Sequence, residues 1–440
     1  MTKTVLNACS NFYPYAFGGT EVYVEAYCTF LKEKDIEPIV ICAVPEQAFE
    51  DHQTIYEDNF LIACKYLYQN ITVLGLKLKH ITTELIYAKY DEKLQQSYGQ
   101  FIDTQAKLKG LSTLHIHSFT ATIGQNLFSQ IKAQNKGAKI ITSYHTPISC
   151  PKNTLMLGKS LKECSITPNL RDCTNCIITT QTKIPVLVAK TAQKFNLKYY
   201  KLPAILKQKY LVNLELNAFN HLKEITQEWW CYSEGIREIL KINDIPNDKI
   251  KFVRHGISEI FFNLEIQKRK DKTIYLFSGR LTRIKGVTTL FKAWQSLPEL
   301  PGRELWLTAT DTAVDDEEIS ALVQKTKIRG DIKFLGNKTQ NELATLYAQA
   351  HFVIIPSECF EIGPLVFHEA VLNECNVIAS NIGGCKELAQ HYHENAITFK
   401  AGDVKELAQK ILSSKYNGKS ALSQNFSTHF KTISDENISR

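Results

Sequence analysis

The chain has 440 residues, 44% of them hydrophobic and 22% charged, with 52 lysines and arginines against 45 acidic residues for a formal charge of +7. That length exceeds what one hydrophobic core serves, since cores stop growing near ~250 to 300 residues, and the near-average composition excludes a long disordered arm. No stretch reaches the ~18 consecutive apolar residues of a spanning helix, so a soluble or peripheral protein of two domains is expected.

The first residues carry Lys3 but no long apolar core with a small-residue cleavage site, and they read as a buried strand rather than a secretory leader. Short β-branched runs at 5–9, 39–44, 113–116 and 139–143 alternate with helical stretches, the pattern of parallel βαβ units. Between Thr20 and Lys34 the pairs Val22/Tyr23, Ala26/Tyr27 and Phe30/Leu31 recur every four residues, which predicts a helix with one buried face. Gly18-Gly19 then falls in the turn from the first strand to the first helix. A second series begins after His255-Gly256, with strands predicted at 273–277, 304–308, 331–335, 352–355 and 376–379. The fold class is α/β, two doubly wound Rossmann-like parallel sheets, with domains at 1–255 and 256–424 and a tail at 425–440 that packs back on the first domain.

The sharpest signal follows the apolar run 352–355: Pro356-Ser357-Glu358-Cys359-Phe360, then Glu361-Ile362-Gly363-Pro364-Leu365-Val366-Phe367-His368-Glu369. Pro364 suits a helix start, and the N–H groups of Leu365 and Val366 would then face the carboxyl edge of the sheet, where α/β folds hold phosphate. Glu361 before the helix and Glu369 within it are acceptors suited to sugar and ribose hydroxyls. The second signal is Gly279-Arg280-Leu281-Thr282-Arg283-Ile284-Lys285-Gly286 after the strand 273–277. A planar guanidinium and a compact ammonium together suit a leaving diphosphate. Arg283 reads as a surface charge.

These segments resemble the retaining glycosyltransferases of family 4, which belong to the glycosyl transferases group 1 and have the GT-B fold. The resembling positions are Glu361 and Glu369 with seven residues between, Arg280 and Lys285 before Gly286, and 378–384 ending in Gly383-Gly384. The resemblance extends to Phe12-Tyr13-Pro14, Gly18-Gly19-Thr20-Glu21, His115-Ile116-His117-Ser118, Ser233 to Arg237 and Val253 to Ile257, spanning 5–388. It implies two domains facing across a cleft, with Glu361, Arg280, Lys285 and His117 as catalytic residues. Gly18, Gly19, Gly363, Leu365, Val366 and Glu369 would bind the donor, and Thr20 and His145 would lie on the acceptor side. The implied reaction moves a sugar from a nucleotide diphosphate sugar to a glycan or glycolipid with retention, in surface polysaccharide or glycoconjugate synthesis. Ile362, where an aromatic is frequent, and 373–376, in place of a small Gly- and Pro-containing turn, depart from the family and blur the donor-sugar pocket. With no Asp-x-Asp anywhere in the chain, the diphosphate charge falls to Arg280, Lys285 and the helix end, so no metal or cofactor is expected in catalysis.

Twelve cysteines in a chain without a leader point to a reducing compartment with mostly free thiols. Cys150, Cys164, Cys173 and Cys176 form a local cluster, and four thiolates suit a structural zinc within an insertion at about 146–180; free thiols are the plain alternative. From Cys173 to Leu214 there is no acidic residue but seven lysines, including Lys198, Lys201, Lys207 and Lys209, interleaved with aromatics. This stretch suggests either a solvated lysine face or peripheral contact with anionic lipid on the inner face of a membrane, and a cytoplasmic location is expected. Two other functions compete with this reading: a nucleotide-sugar epimerase of the same architecture, and a zinc-knuckle nucleic-acid-binding protein. The latter leaves Arg280, Lys285, Glu361 and Glu369 without a purpose, and no nucleic-acid partner is expected.

Overall fold

The computed structural model describes residues 3–80, 91–158, 160–181, 204–253, 255, 257–262, 264–299, 301–309 and 316–418. The chain forms two compact units, one of Met1–Asn153 with Ser165–Arg254 and the other of Thr154–Cys164 with His255–Arg440. Residues 154–164 lie inside the insertion expected in the first domain, yet they group with the second unit. The tail at 425–440 and most of the lysine-rich stretch lie outside the described residues.

In the first unit the strands are β1 (Thr4–Cys9), β2 (Glu37–Ala43), β3 (Gln53–Glu57), β4 (Leu61–Tyr68), β5 (Ile71–Leu78), β6 (Thr113–Ile116), β7 (Lys139–Ser143), β8 (Glu228–Cys231) and β9 (Ile250–Phe252). They form one nine-stranded sheet in the order β3-β4-β5-β2-β1-β6-β7-β8-β9. β1 is buried almost throughout because it is central and covered on both faces, as a continuous apolar run requires. Its Asn7 pairs in register with His115 of β6, which places two buried polar side chains next to each other in the sheet. The predicted first helix is Gly19–Glu33, and it buries Tyr23, Val24, Tyr27, Cys28, Phe30 and Leu31.

The sheet is not wholly parallel, which corrects the expectation. β4 pairs antiparallel with both β3 and β5, while β5 pairs parallel with β2. The hairpin between β4 and β5 turns on Gln69 and Asn70, at φ 45° and 62°. Two successive positive φ values give the tight turn whose twist matches that of the strands.

The second unit holds β10 (Thr273–Phe277), β11 (Arg303–Leu307), β12 (Ile332–Phe334), β13 (Phe352–Ile355), β14 (Asn376–Ser380) and β15 (Ala396–Phe399). Their order is β12-β11-β10-β13-β14-β15, and every pairing is parallel. One core layer centres on Leu290, Phe291 and Trp294, the other on Phe367, Ala370 and Val371, so the sheet is covered by helices on both faces. The polar segment at the join is pinned by Lys268, whose Nζ donates to the carbonyls of Tyr347 (2.9 Å), Asn373 (2.8 Å) and Ala350. Among the described residues no helix is long and apolar enough to cross a membrane.

Candidate functional site

At the carboxyl edge of the second sheet two loops are sewn together. Gly286, following the turn Arg283–Lys285, has φ +69°, and a Cβ there would lie 1.7 Å from the Pro356 carbonyl oxygen. Only glycine supplies both the left-handed backbone and the close approach. The N–H of Glu358 donates to the Ile284 carbonyl at 2.9 Å, completing the seam. Lys285 is thereby set beside Glu361, with Nζ 2.6 Å from Oε1, and the Ser357 hydroxyl donates to the same oxygen at 2.6 Å.

Burial works against both charges, and the pair overcomes it. Burial pushes the Glu361 carboxyl up, but Lys285, then Ser357 and Arg280, hold it below the usual carboxylate range. Burial likewise pulls Lys285 down, and Glu361 outweighs it to raise the ammonium. Both side chains keep some access to solvent, at 30% for Lys285 and 12% for Glu361. Arg280 is exposed. Arg283, on the same loop, pairs instead with Asp316 and Glu318 at the surface, in keeping with its reading as a surface charge.

The helix predicted after Pro364 is Leu365–Leu372. The N–H groups of Leu365 and Val366 at its start have no acceptor within the helix and carry partial positive charge, while that of Phe367 donates to the Pro364 carbonyl at 3.0 Å. Gly363 lies half-buried in the loop before it. Glu369 is placed differently from Glu361. It is 5% exposed and accepts the Tyr347 hydroxyl at 2.8 Å. Burial raises its carboxyl from 4.5 to about 7, with Tyr347 opposing.

Gly383 and Gly384, which open the helix Gly383–His391, lie against the backbone of the Glu361 loop. The Gly384 N–H donates to the Glu361 carbonyl at 2.6 Å, and a Cβ on either glycine would come within 2.8 Å of that oxygen. The glycine pair is therefore a packing requirement of the loop that carries Glu361.

In the first unit, Gly18 and Gly19 are exposed at the start of the first helix, with Thr20 half-buried beside them. His117 is not on the surface: it is 1% exposed. It follows His115 by two residues on β6 and its end, so both rings face the same side, with centroids 3.9 Å apart beneath Tyr23 and Tyr27. His117 Nε2 is 3.1 Å from Asn7 Oδ1 and its Nδ1 is 3.2 Å from His145 Nε2. His145 also lies 3.3 Å from the Tyr232 hydroxyl, which donates to Ser143 at 2.8 Å, and Ser143 meets His115 Nε2 at 2.8 Å. Burial, and then the neighbouring imidazoles, push all three histidines well below the ordinary value. The three imidazoles thus form one polar chain, with His115 and His117 buried and His145 half-buried at its end.

The four clustered cysteines are half-buried thiols, not joined in disulfides. Among the described residues no group of three or more His, Cys, Asp or Glu is placed to hold a metal ion. Sequence reasoning missed Ser357, Asn7 and Tyr347. A polar residue within the apolar strand 5–9 was the one available signal for Asn7; Ser357 and Tyr347 had none.

Residues 259–427 match the family glycosyl transferases group 1. An uncharacterized glycosyltransferase of Methanocaldococcus jannaschii is 29% identical over 166 residues, which is 35% of this chain and 42% of that relative's length. Among solved structures, the sucrose-phosphate synthase of Thermosynechococcus elongatus aligns with TM-score 0.59 at 17% identity, covering 93% of this chain and 89% of that one. HepE of Anabaena, in complex with UDP and glucose, aligns with TM-score 0.57 at 13% identity over 98% of this chain and 92% of its own. The two sheets and these likenesses agree on the GT-B fold, and residues 259–427 of the chain are similar to the glycosyl transferases group 1.

Proposed function

We propose that the protein is a retaining, metal-independent glycosyltransferase that moves a sugar from a nucleotide diphosphate sugar to a glycan or glycolipid acceptor. The observation that carries this reading is the Lys285–Glu361–Ser357 cluster beside a helix N-terminus at the carboxyl edge of a parallel sheet. In transfer, the bond between the anomeric carbon and a phosphate oxygen breaks, the acceptor oxygen takes its place, and the acceptor's proton passes to the departing phosphate. The charge gathering on that phosphate needs cations already in position, and Arg280, Lys285 and the N–H groups at Leu365 and Val366 supply them. Glu361, held ionised, is an acceptor for hydroxyls of the sugar, and Glu369 for those of the ribose. A neighbour of this fold, HepE, was solved with UDP and glucose, which supports a nucleotide sugar as donor.

The test is release of nucleoside diphosphate from a panel of UDP-, ADP- and GDP-sugars, with and without candidate acceptors and with and without EDTA. Acceptor-dependent release that survives EDTA, with a product of unchanged anomeric configuration by NMR, is the expected result. Absence of release from every donor would overturn the reading.

One peripheral role is proposed on sequence grounds alone. The lysine-rich stretch would meet anionic lipid during synthesis of a surface glycan, and cosedimentation with anionic but not neutral vesicles is the measurement.

A further inference from the structure

The chain leaves the first unit after Asn153 and returns at Ser165, and the segment between is built into the second unit. It is a hairpin, closed by a Met156–Glu163 bridge and by N–H bonds from Leu157 to the Lys162 carbonyl (2.9 Å) and from Cys164 to the Leu155 carbonyl (2.7 Å). Its contacts fall on the loops that follow three adjacent strands of the second sheet. Beyond β13, the Phe360 N–H donates to the Thr154 carbonyl at 3.1 Å. Beyond β14, the Gly383 N–H donates to the Glu163 carboxylate at 2.8 Å. Beyond β15, Leu161 packs on the turn at Gly402, where a Cβ would come within 2.6 Å of its Cδ1.

The first two contacts bracket Glu361. Phe360 precedes it in the chain, and Gly383 precedes Gly384, whose N–H holds the Glu361 carbonyl at 2.6 Å. We propose that the hairpin Thr154–Cys164 is a wall of the donor site, and that Glu163 is a positioning residue which fixes the Gly383-Gly384 turn beneath Glu361. This inference rests on the transferase reading and adds a part to it. Because the clamp acts on Glu361, which would meet the sugar, it governs the sugar end of the donor. The diphosphate end, assigned to Arg280 and Lys285, should not depend on it. Glu163 is an exposed residue, so replacing it removes the hydrogen bond without opening a core.

The experiment compares Glu163→Ala and Glu163→Gln with the wild type in three measurements. These are kcat/KM for the first donor accepted in the panel, Kd for UDP or ADP, whichever the wild type binds, and hydrogen exchange of peptides covering 358–362 and 381–385. In Glu163→Ala, exchange should quicken in both peptides and donor kcat/KM should fall about tenfold, as a small displacement of a substrate-positioning group does. The nucleoside diphosphate Kd should stay within about twofold. Glu163→Gln should restore protection and most of the activity, because its amide oxygen still accepts the Gly383 N–H. Unchanged exchange or activity in Glu163→Ala, an equal loss of nucleoside diphosphate affinity, or a glutamine variant as impaired as the alanine would overturn the proposal. If the wild type turns over no donor, the transferase reading fails, and the exchange comparison alone still decides for or against the clamp.

Discussion

The carboxyl ends of the two sheets carry polar groups in opposite states. In the first unit His117, His145 and Tyr232 follow β6, β7 and β8, and they bond to one another and to Asn7 and Ser143 in a chain that is buried except at the half-buried His145. In the second unit Lys285 and Glu361 follow β10 and β13, and they hold each other as ions within reach of solvent. The value of a neutral network whose members bond to one another lies in rigidity and a single packing. A half-exposed ion pair backed by Arg280 and a helix end has charge to offer an incoming diphosphate. On the proposed reading, the second edge is the place for donor chemistry and the histidine chain of the first is a frame.

The largest expected effect follows from that contrast. Glu361→Ala should lower transfer by ~10²- to 10³-fold, the usual cost of losing one preorganised electrostatic group, while thermal unfolding stays near that of the wild type. Loss of fold in place of activity would break the contrast. Glu369 sharpens it through pH. Its folded value of about 7 lies above its ordinary 4.5, so its contribution is complete below about 4.5 and is lost as pH rises through about 7. Glu369→Gln should therefore raise stability at pH 8 by on the order of 3 kcal/mol or less, with no gain at pH 4, in urea titrations. The histidines run the other way: their folded values are depressed, so their stabilisation holds above the ordinary ~6.5 and is lost as pH falls.

A smaller change is expected in the frame. His117→Ala deprives Asn7 and His145 of a partner inside the sheet and should cost about 1 to 3 kcal/mol by chemical denaturation. An undiminished midpoint would mean that the histidine chain is no frame. Smallest of all, Arg283→Gln breaks an exposed pairing with Asp316 and Glu318 and should shift stability by about 0.5 kcal/mol or less without touching transfer. A large loss of activity there would move the diphosphate-binding role from Arg280 to Arg283.

The runs 113–116, 139–143, 273–277 and 352–355 were legible to the residue because each is a short run dominated by β-branched and other apolar residues between helical stretches, as buried parallel strands are. The hairpin β4–β5 was not. Its period-two pattern is broken by Cys64 and Gly75, and the turn at Gln69-Asn70 lacks the glycine that usually announces it. At the site, Glu361 and Lys285 stood out through spacing and resemblance, but Ser357 and Glu163 gain their roles from a turn conformation and from a contact across 220 positions of the chain. His117 was visible as a strand-end histidine; its burial comes from Tyr23 and Tyr27 on a helix far away in sequence, which no local pattern contains.

The central claim, that the carboxyl edge of the second sheet holds the donor's diphosphate, is tested most directly by calorimetric titration of UDP and ADP into the wild type, Lys285→Ala and His117→Ala. The expected result is binding of one nucleotide by the wild type, affinity lower by at least about tenfold in Lys285→Ala, as loss of a charge-assisted contact implies, and little change in His117→Ala. Equal affinity in the wild type and Lys285→Ala, or a loss confined to His117→Ala, would contradict it.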